Sequence, residues 1–165
     1  KSDAGGLRLG VGVDRVAHEA EAMLDEVAAK APDASCSGIL VQEMLPARME
    51  LTIGLKRDPV FGPMVVVGLG GLMVEVMAEV AMLRAPFGEQ AARNVISGLC
   101  GGRIVSSRRG LDPQELDAVV AIVTGLGQMA LELPEIAEVD INPVRVANGR
   151  AVSADALVVL GAPAA

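Results

Sequence analysis

Aromatic side chains are almost missing from this chain, which has two phenylalanines and no tyrosine or tryptophan among 165 residues. Proteins that stack the bases of single-stranded nucleic acid use aromatic platforms, so the composition argues against this mode of binding. Basic residues are also in the minority, because the net charge is −7 at pH 7. A nucleic-acid surface needs an excess of lysine and arginine. Neither nucleic acid nor an anionic membrane is therefore expected as a partner.

Cysteine is scarce and long apolar runs are missing. Cys36 and Cys100 lie far apart and form no Cys-x-x-Cys pair, whereas a disulfide framework would be denser in cysteine. No apolar run approaches the roughly 18 residues that a membrane helix needs, and no signal-peptide pattern opens the chain. These absences predict buried thiols, a reducing compartment and a cytoplasmic protein.

Apolar residues make up 52% of the chain, which is enough for the core of one domain. Strand and helix patterns follow one another in mixed order, with no repeat of about 20–50 residues. This order predicts an α+β or α/β domain on a largely antiparallel sheet with flanking helices. The strand patterns cover Gly38–Met44, Met49–Leu55, Met64–Val67 and a hairpin within Glu138–Asp155; the helical patterns begin at Asp14, Ala91 and Asp112.

Asn148-Gly149, between two alternating apolar runs, is the strongest hairpin signal. Both central residues of a type I′ turn need a positive φ, which asparagine and glycine tolerate. With these two residues as the whole loop, Ala147 faces Arg150. Counting outward then places Asn142 opposite Asp155.

Oxygen-bearing side chains follow one face of the first hairpin strand, because Glu138, Asp140 and Asn142 alternate with apolar residues. Directly opposed residues have Cβ atoms roughly 4.5–5.5 Å apart. The Asn142 amide oxygen and the Asp155 carboxylate can therefore hold one hard cation with room for phosphate and water, which predicts a magnesium site. The spacing alone equally fits a solvated polar face on an edge hairpin.

Three further segments have polar or glycine patterns that suit a phosphorylated ligand. Backbone amides of Gly5 and Gly6, with Lys1 nearby, can cradle phosphate oxygens, although an ordinary turn has the same pattern. Gly70-Gly71 follows a buried strand and permits close approach of a ligand. Arg109 lies in a connection rich in glycine and arginine, which is either an anion contact or a solvated loop.

Gln42 and Glu50 lie on two predicted strands that a short loop joins. On adjacent strands, this amide and carboxylate can meet a base and ribose hydroxyls. Taken alone, such a pair is equally typical of surface residues.

Taken in order, these segments resemble the ATP-grasp domain of NDP-forming acyl-CoA synthetases, of the ADP-forming acetyl-CoA synthetase beta-subunit type related to succinyl-CoA synthetase. The resemblance covers nearly the whole chain. The matching blocks are Lys1-Ser-Asp-Ala-Gly-Gly, Val41-Gln42, Glu50-Leu-Thr-Ile-Gly, Arg57-Asp-Pro-Val-Phe-Gly-Pro, Gly68-Leu-Gly-Gly-Leu through Glu75, Arg109-Gly110, Glu138-Val-Asp-Ile-Asn-Pro and Asp155.

The resemblance implies an ATP-grasp fold in which a nucleotide lies between two lobes. It places Gln42 in the adenine hinge and Glu50 at the ribose. It places Lys1 and the two following glycines, Gly5 and Gly6, in the phosphate loop. The expected metal ligands are then Asn142 and Asp155, with Asp140 as a further candidate, and Gly70, Gly71 and Arg109 are candidate phosphate contacts.

The chain departs from the family pattern in three ways. A relay histidine is expected immediately upstream of Lys1, and the preceding strands, with a lysine that grips phosphate, are also missing. Glu79 stands where the family usually has aspartate. Residues 1–165 are accordingly interpreted as the C-terminal, larger part of an ATP-grasp domain, inactive in isolation.

The implied reaction joins a small carboxylic acid to CoA and converts ATP to ADP and phosphate, through a phosphohistidine and an acyl phosphate. The implied cofactors are ATP or ADP and Mg²⁺. CoA is expected on another domain or subunit of the same enzyme, in an oligomer. The alternative interpretation is a regulatory, ligand-binding module of a protein acetyltransferase.

Overall fold

The computed structural model describes residues 5–71 and 79–161. The chain divides into two compact units, Lys1–Met44 and Leu45–Ala165. Within the described part of the chain, no helix is long and apolar enough to cross a membrane.

The first unit contains one α-helix and no strand among its described residues. A 3₁₀ turn, Val13–Arg15, leads into helix α1, Val16–Lys30. Asp14 therefore lies inside the turn and is not the N-cap of α1. The helix ends two residues before Pro32, as its sequence predicts.

The predicted strand Gly38–Met44 is wrong for this structure, because these residues have no regular secondary structure. The apolar side chains of Leu40 and Val41 are 80% and 66% exposed. A strand needs a hydrogen-bonded neighbour and an apolar face to bury. The described residues of the first unit supply no second strand, so the apolar pattern alone does not produce one here.

The second unit is built on a six-stranded sheet in which every pairing is antiparallel. The strand order is β3-β2-β1-β4-β5, and β6 also pairs with β4. This arrangement confirms the expected antiparallel sheet. The strands are β1, Met49–Asp58; β2, Gly62–Leu69; β3, Val80–Arg84; β4, Ile136–Ala147; β5, Arg150–Ser153; and β6, Ala156–Leu160.

Helices cover one face of this sheet. They are α2, Glu89–Gly98, the short α3, Arg103–Ser106, and α4, Pro113–Glu132, with a 3₁₀ turn at Leu99–Gly102. Helix α4 begins at the predicted position, directly after Asp112, and its start is a capping box. Glu115 N donates to Asp112 Oδ1 at 2.8 Å, and Asp112 N donates to Glu115 Oε2 at 2.9 Å. Such a cap contributes about 1 kcal/mol.

Strict alternation along β1 divides the sheet into a buried and an open face. Leu51, Ile53 and Leu55 are at most 1% exposed and pack against the helices. Each such burial stabilises the fold by roughly 1.5–3 kcal/mol. Glu50 and Thr52, which alternate with these residues, point to the open face, where the polar residues of β4 also lie.

Arg57 joins the end of α4 to the sheet. Its Nη2 donates to the carbonyl oxygens of Ala130 at 2.7 Å and Leu133 at 3.0 Å, and its Nε donates to Ile136 O at 2.7 Å. The last carbonyls of a helix have no partner within the helix. One side chain therefore satisfies the C-terminal end of α4 and aligns it with β1.

Candidate nucleotide and metal site

The Asn148-Gly149 hairpin has the predicted turn and register. The two residues have φ values of 56° and 72°, as a type I′ turn requires. Ala147 pairs with Arg150, and Val144 pairs with Ser153. The register of the two strands is therefore the one that the sequence predicts from a two-residue turn.

The same register brings Asn142 and Asp155 together. Asn142 N donates to Asp155 O at 3.2 Å, and the neighbouring Ala154 N donates to Pro143 O at 3.0 Å. Both side chains are exposed, and so is Asp140 on the same strand. Asp155 Oδ1 also accepts a hydrogen bond from Ala156 N at 3.1 Å.

A β-bulge in β4 decides which side chains reach the open face. Ile53 pairs with Ile141 and Leu51 pairs with Val144, so Thr52 alone stands opposite two residues of β4. A bulge of this kind reverses the alternation beyond it and is frequent next to functional sites. Val144 is consequently buried, while Arg145 shares the open face with Asn142.

A cavity of about 320 Å³ lies on this open face. Its walls include Thr52 and Gly54 from β1, Gly68 from β2, and Asp140 and Asn142 from β4. No group of three or more His, Cys, Asp or Glu side chains suited to a metal occurs in the described ranges. Mg²⁺ keeps several waters and takes only one or two carboxylates plus phosphate oxygens, so the Asp140 carboxylate and the Asn142 amide oxygen are donors of the kind this ion uses.

Glu50 lies close to the two glycines that end β2. Gly70 N donates to Glu50 O at 2.8 Å. Gly71 has a φ of +65°, and a Cβ on it would lie 2.8 Å from Glu50 Oε2. Because Gly71 has no side chain, the Glu50 carboxylate can lie close to the backbone of Gly71. Arg145 Nη2 lies 3.6 Å from Glu50 Oε1, and its buried Nε has no hydrogen-bond partner among the described residues.

Glu50, Gly70, Gly71 and Arg109 line a second and larger cavity of about 750 Å³. Arg103 and Arg145 also line it. No carboxylate in the described ranges lies within 4 Å of the Arg103 or Arg109 guanidinium. This cavity therefore combines one carboxylate with cationic groups that suit an anion.

A fork of hydrogen bonds from Arg48 holds the loop that carries Arg109. Arg48 Nη1 donates to Arg109 O at 2.8 Å and to Gly110 O at 2.7 Å, and its Nη2 is paired with the Glu115 carboxylate. Glu115 is 1% exposed. This pair is not predictable from the sequence, because its two residues are 67 positions apart and no local pattern links them.

The phosphate-loop and hinge candidates of the first unit share a small cavity. Gly6 and Gln42 both line a space of about 140 Å³. Gly5 is buried with a φ of +78°, and a Cβ on it would lie 2.4 Å from Glu26 Oε1. Lys1 lies outside the described residues, as does Glu75.

The expectation that Gln42 and Glu50 occupy adjacent strands is wrong. Glu50 lies in β1, but Gln42 belongs to the segment without regular structure. The two side chains consequently belong to different units of the chain.

The cysteines are free, but they are not both buried as predicted. Cys36 is exposed, and Cys100 is half-buried on the wall of the larger cavity. Burial first, and the nearby Glu79 carboxylate second, raise the pKa of the Cys100 thiol. The Glu79 carboxylate also accepts a hydrogen bond from Cys100 N at 2.8 Å.

Comparison with known proteins agrees with this geometry. Residues 1–160 match the ATP-grasp domain family. The ADP-forming acetate–CoA ligase I subunit beta of Pyrococcus furiosus is 37% identical over 161 residues, which cover 97% of this chain and 69% of that subunit. The ADP-forming acetate–CoA ligase I of Archaeoglobus fulgidus is 36% identical over 161 residues, 98% of this chain but 24% of that protein.

Solved structures of similar proteins show the same fold. Acetyl-coenzyme A synthetase 1 of Ca. Korarchaeum cryptofilum, in complex with coenzyme A, Ca-AMPCP and HgCl+, has a TM-score of 0.88 at 36% identity and covers 98% of this chain and 71% of that one. The same synthetase with coenzyme A and Mg-AMPPCP, its phosphohistidine segment pointing towards the nucleotide binding site, has a TM-score of 0.79 at 34% identity, with coverages of 98% and 70%. The chain therefore belongs to the ATP-grasp domain family, among the homologues of ADP-forming acetyl-CoA synthetase beta subunits.

Proposed function

We propose that this chain is the nucleotide-binding ATP-grasp part of an acid–CoA ligase that forms ADP. The overall reaction is carboxylic acid + CoA + ATP to acyl-CoA + ADP + phosphate. The observation that carries the proposal is the opposition of Asn142 and Asp155 on an oxygen-lined sheet face. The similarity to ADP-forming acetate–CoA ligases supports the choice of reaction.

In this proposal Asn142 and Asp155 hold Mg²⁺, and Asp140 contributes a further oxygen. When bound, the ion neutralises charge on the phosphates. The hydrogen bond between the backbones of Asn142 and Asp155 fixes the main chain at both residues before the ligand arrives, and Asp155 Oδ1 accepts a bond from Ala156 N. Preorganised charge of this kind accounts for most of phosphoryl-transfer catalysis.

Glu50 is the proposed acceptor for the ribose hydroxyls. Arg145 lies beside the Glu50 carboxylate, and this carboxylate occupies the space that a side chain at position 71 would need. Gln42, with Gly5, Gly6 and Lys1 in the first unit, is proposed to contact the base and the phosphates. Gly70, Gly71 and Arg109 are further proposed phosphate contacts, since they line the larger cavity together with the guanidinium groups of Arg103 and Arg145.

The remaining chemistry needs residues outside this chain. We propose a relay histidine that accepts the phosphoryl group from ATP and passes it to the carboxylic acid, which becomes an acyl phosphate. CoA then displaces phosphate on a CoA-binding domain or subunit of the same enzyme. We place this assembly, an oligomer, in the cytoplasm.

The test uses the complete subunit together with its CoA-binding partner. Incubation with ATP labelled at the γ-phosphate should release ADP and give a labelled protein whose label is lost in acid and kept in base. Release of AMP and pyrophosphate would contradict the ADP-forming reaction. Nucleotide binding without turnover for any of a panel of carboxylic acids would instead favour a regulatory module of a protein acetyltransferase.

A matched comparison tests how much this chain contributes alone. Residues 1–165 without further domains should bind nucleotide weakly and form no acyl-CoA. Acyl-CoA formation by the isolated chain would contradict the assignment of the relay histidine and the CoA site to other segments.

A further inference from the structure

The hydroxyl of Thr52 is a buried polar group without a hydrogen-bond partner among the described residues. Buried hydroxyls in native proteins are nearly always satisfied by protein or by an ordered ligand, so an unpartnered one calls for an explanation. This hydroxyl does not lie inside the core, because Thr52 belongs to the open face of the sheet. Thr52 is one of the residues that line the 320 Å³ cavity, together with Asp140 and Asn142.

The neighbours of Thr52 on the two adjacent strands are a glycine and the bulge of β4. On β2 its partner is Gly68, which has no side chain. On β4 it stands opposite the bulge that contains Asn142. Thr52 thus lies beside the cavity, while its hydroxyl oxygen is itself buried.

Thr52 lies on β1 between the residues that mark the two ends of the proposed nucleotide site. Glu50 lies two residues before it, and Gly54, which pairs with Asp140, lies two residues after it. A strand rises about 3.3 Å per residue, so Thr52 lies about 7 Å along the strand from Glu50 and about 7 Å from Gly54. In a nucleotide, the phosphate attached to the ribose joins the sugar hydroxyls to the terminal, metal-bound phosphates.

We propose that the Thr52 hydroxyl donates a hydrogen bond to the phosphate nearest the ribose of a bound adenine nucleotide. This inference rests on the proposed function, since it assumes that Glu50 marks the ribose and Asn142 marks the metal. It assigns a ligand contact to a residue whose β-branched side chain would otherwise be explained by strand formation alone.

The two explanations predict different effects of Thr52→Val. Valine has nearly the shape of threonine and an equal preference for strands, so a purely structural Thr52 would tolerate it without a change in ligand affinity. If the Thr52 hydroxyl donates to phosphate, the Thr52→Val variant should bind every nucleotide that carries this phosphate more weakly than the wild type does. The stability of the variant in denaturant would not fall, because the buried hydroxyl has no hydrogen-bond partner among the described residues to lose.

The experiment measures binding of Mg·ADP, AMP and adenosine to the complete subunit with its CoA-binding partner. Thr52→Val should weaken ADP and AMP by about tenfold, the effect expected from one hydrogen bond to a charged group. Adenosine, which lacks the phosphate, should bind to the variant and the wild type equally. Thr52→Ser, which keeps the hydroxyl, should restore most of the affinity for ADP.

Thr124→Val is the matched control, because the Thr124 hydroxyl is already bonded within α4 to Val120 O at 2.9 Å. It should leave all three affinities unchanged. Unchanged ADP binding by Thr52→Val, or an equal loss for adenosine, would overturn the inference while leaving the proposed function intact. If Asn142→Ala also left Mg·ADP binding unchanged, the proposed site itself would be wrong.

Discussion

The backbone amide of Asn142 donates a hydrogen bond to the backbone carbonyl of Asp155 at 3.2 Å. Asp155 lies between β5 and β6, and both strands pair with β4 in one continuous register, from Ala147 with Arg150 to Ile141 with Ala156. The main chain on both sides of Asp155 is therefore held by the sheet. Side-chain replacements at these two positions should change ligand binding and leave the fold intact.

Asp155→Ala provides the first test of this relationship. It should weaken binding of Mg·ADP to the complete subunit by at least about tenfold, because the carboxylate proposed to hold the cation is lost. Isothermal titration calorimetry measures the affinity, and circular dichroism checks the fold. Asp117→Ala, which removes a carboxylate 63% exposed on α4, is the matched control. Equal affinities for wild type and Asp155→Ala would exclude Asp155 as a ligand.

The ion pair of Arg48 with the buried Glu115 predicts a large effect on stability. Glu115→Ala removes the partner of Arg48 and half of the capping box. The free energy of unfolding should fall by roughly 2–3 kcal/mol, since Arg48 stays partly hydrated. Urea denaturation measures this change.

The double variant Arg48→Met, Glu115→Leu forms a double-mutant cycle with the single variants Arg48→Met and Glu115→Leu. It should lose less stability than the sum of the two single variants, because neither charge is left unpaired. Strict additivity would show that the two side chains do not interact in solution.

Arg57 should contribute to stability through the end of α4. Arg57→Met removes three hydrogen bonds to carbonyl oxygens, although Leu133 O still accepts from Ile136 N at 3.1 Å. The change should lower the free energy of unfolding by roughly 2 kcal/mol. The neighbouring Lys56→Met is the matched control. The Lys56 side chain is 72% exposed and lies 3.9 Å from the Glu138 carboxylate, so its change should stay within about 0.5 kcal/mol. Equal losses for both variants would contradict the role of Arg57.

The two thiols should react at different rates with iodoacetamide. The thiolate is the reactive form, and burial together with the Glu79 carboxylate raises the pKa of Cys100. At pH 8 Cys100 should therefore remain largely protonated, while the exposed Cys36 is modified first. Peptide mass spectrometry over time measures both rates. Faster modification of Cys100 would contradict this order.

Glu79→Gln separates the two causes of the raised pKa. It removes the negative charge but keeps an oxygen that accepts the hydrogen bond from Cys100 N. The pKa of Cys100 should fall, and its alkylation at pH 8 should accelerate modestly, because burial, the larger cause, remains. An unchanged rate would mean that the carboxylate has no influence on the thiol.

Several parts of the fold and the site follow from short-range patterns. The Asn148-Gly149 turn determines the hairpin register, and with it the meeting of Asn142 and Asp155. The box of Asp112 and Glu115 begins α4 where the sequence predicts it. These features are predictable because each depends on the conformational preferences and hydrogen bonds of residues close together in the chain.

Other parts depended on neighbours that sequence patterns do not reveal. Gly38–Met44 has the pattern of a buried strand, yet the described residues of its unit provide no strand to pair with. Conversely, β6 was not predicted, although it pairs with β4 in the structure. Strand formation requires a hydrogen-bonded partner, so an apolar pattern is insufficient evidence for it.

The amino-acid order alone determined the turn, the helix cap and the polar face of β4, because local preferences and alternation suffice for each. Only the tertiary structure decided that Thr52 stands opposite a bulge, that Arg48 reaches Glu115, and which side chains surround each cavity. These relationships join residues far apart in the chain. They arise from the pairing of strands and the packing of helices on the sheet, which no local pattern specifies.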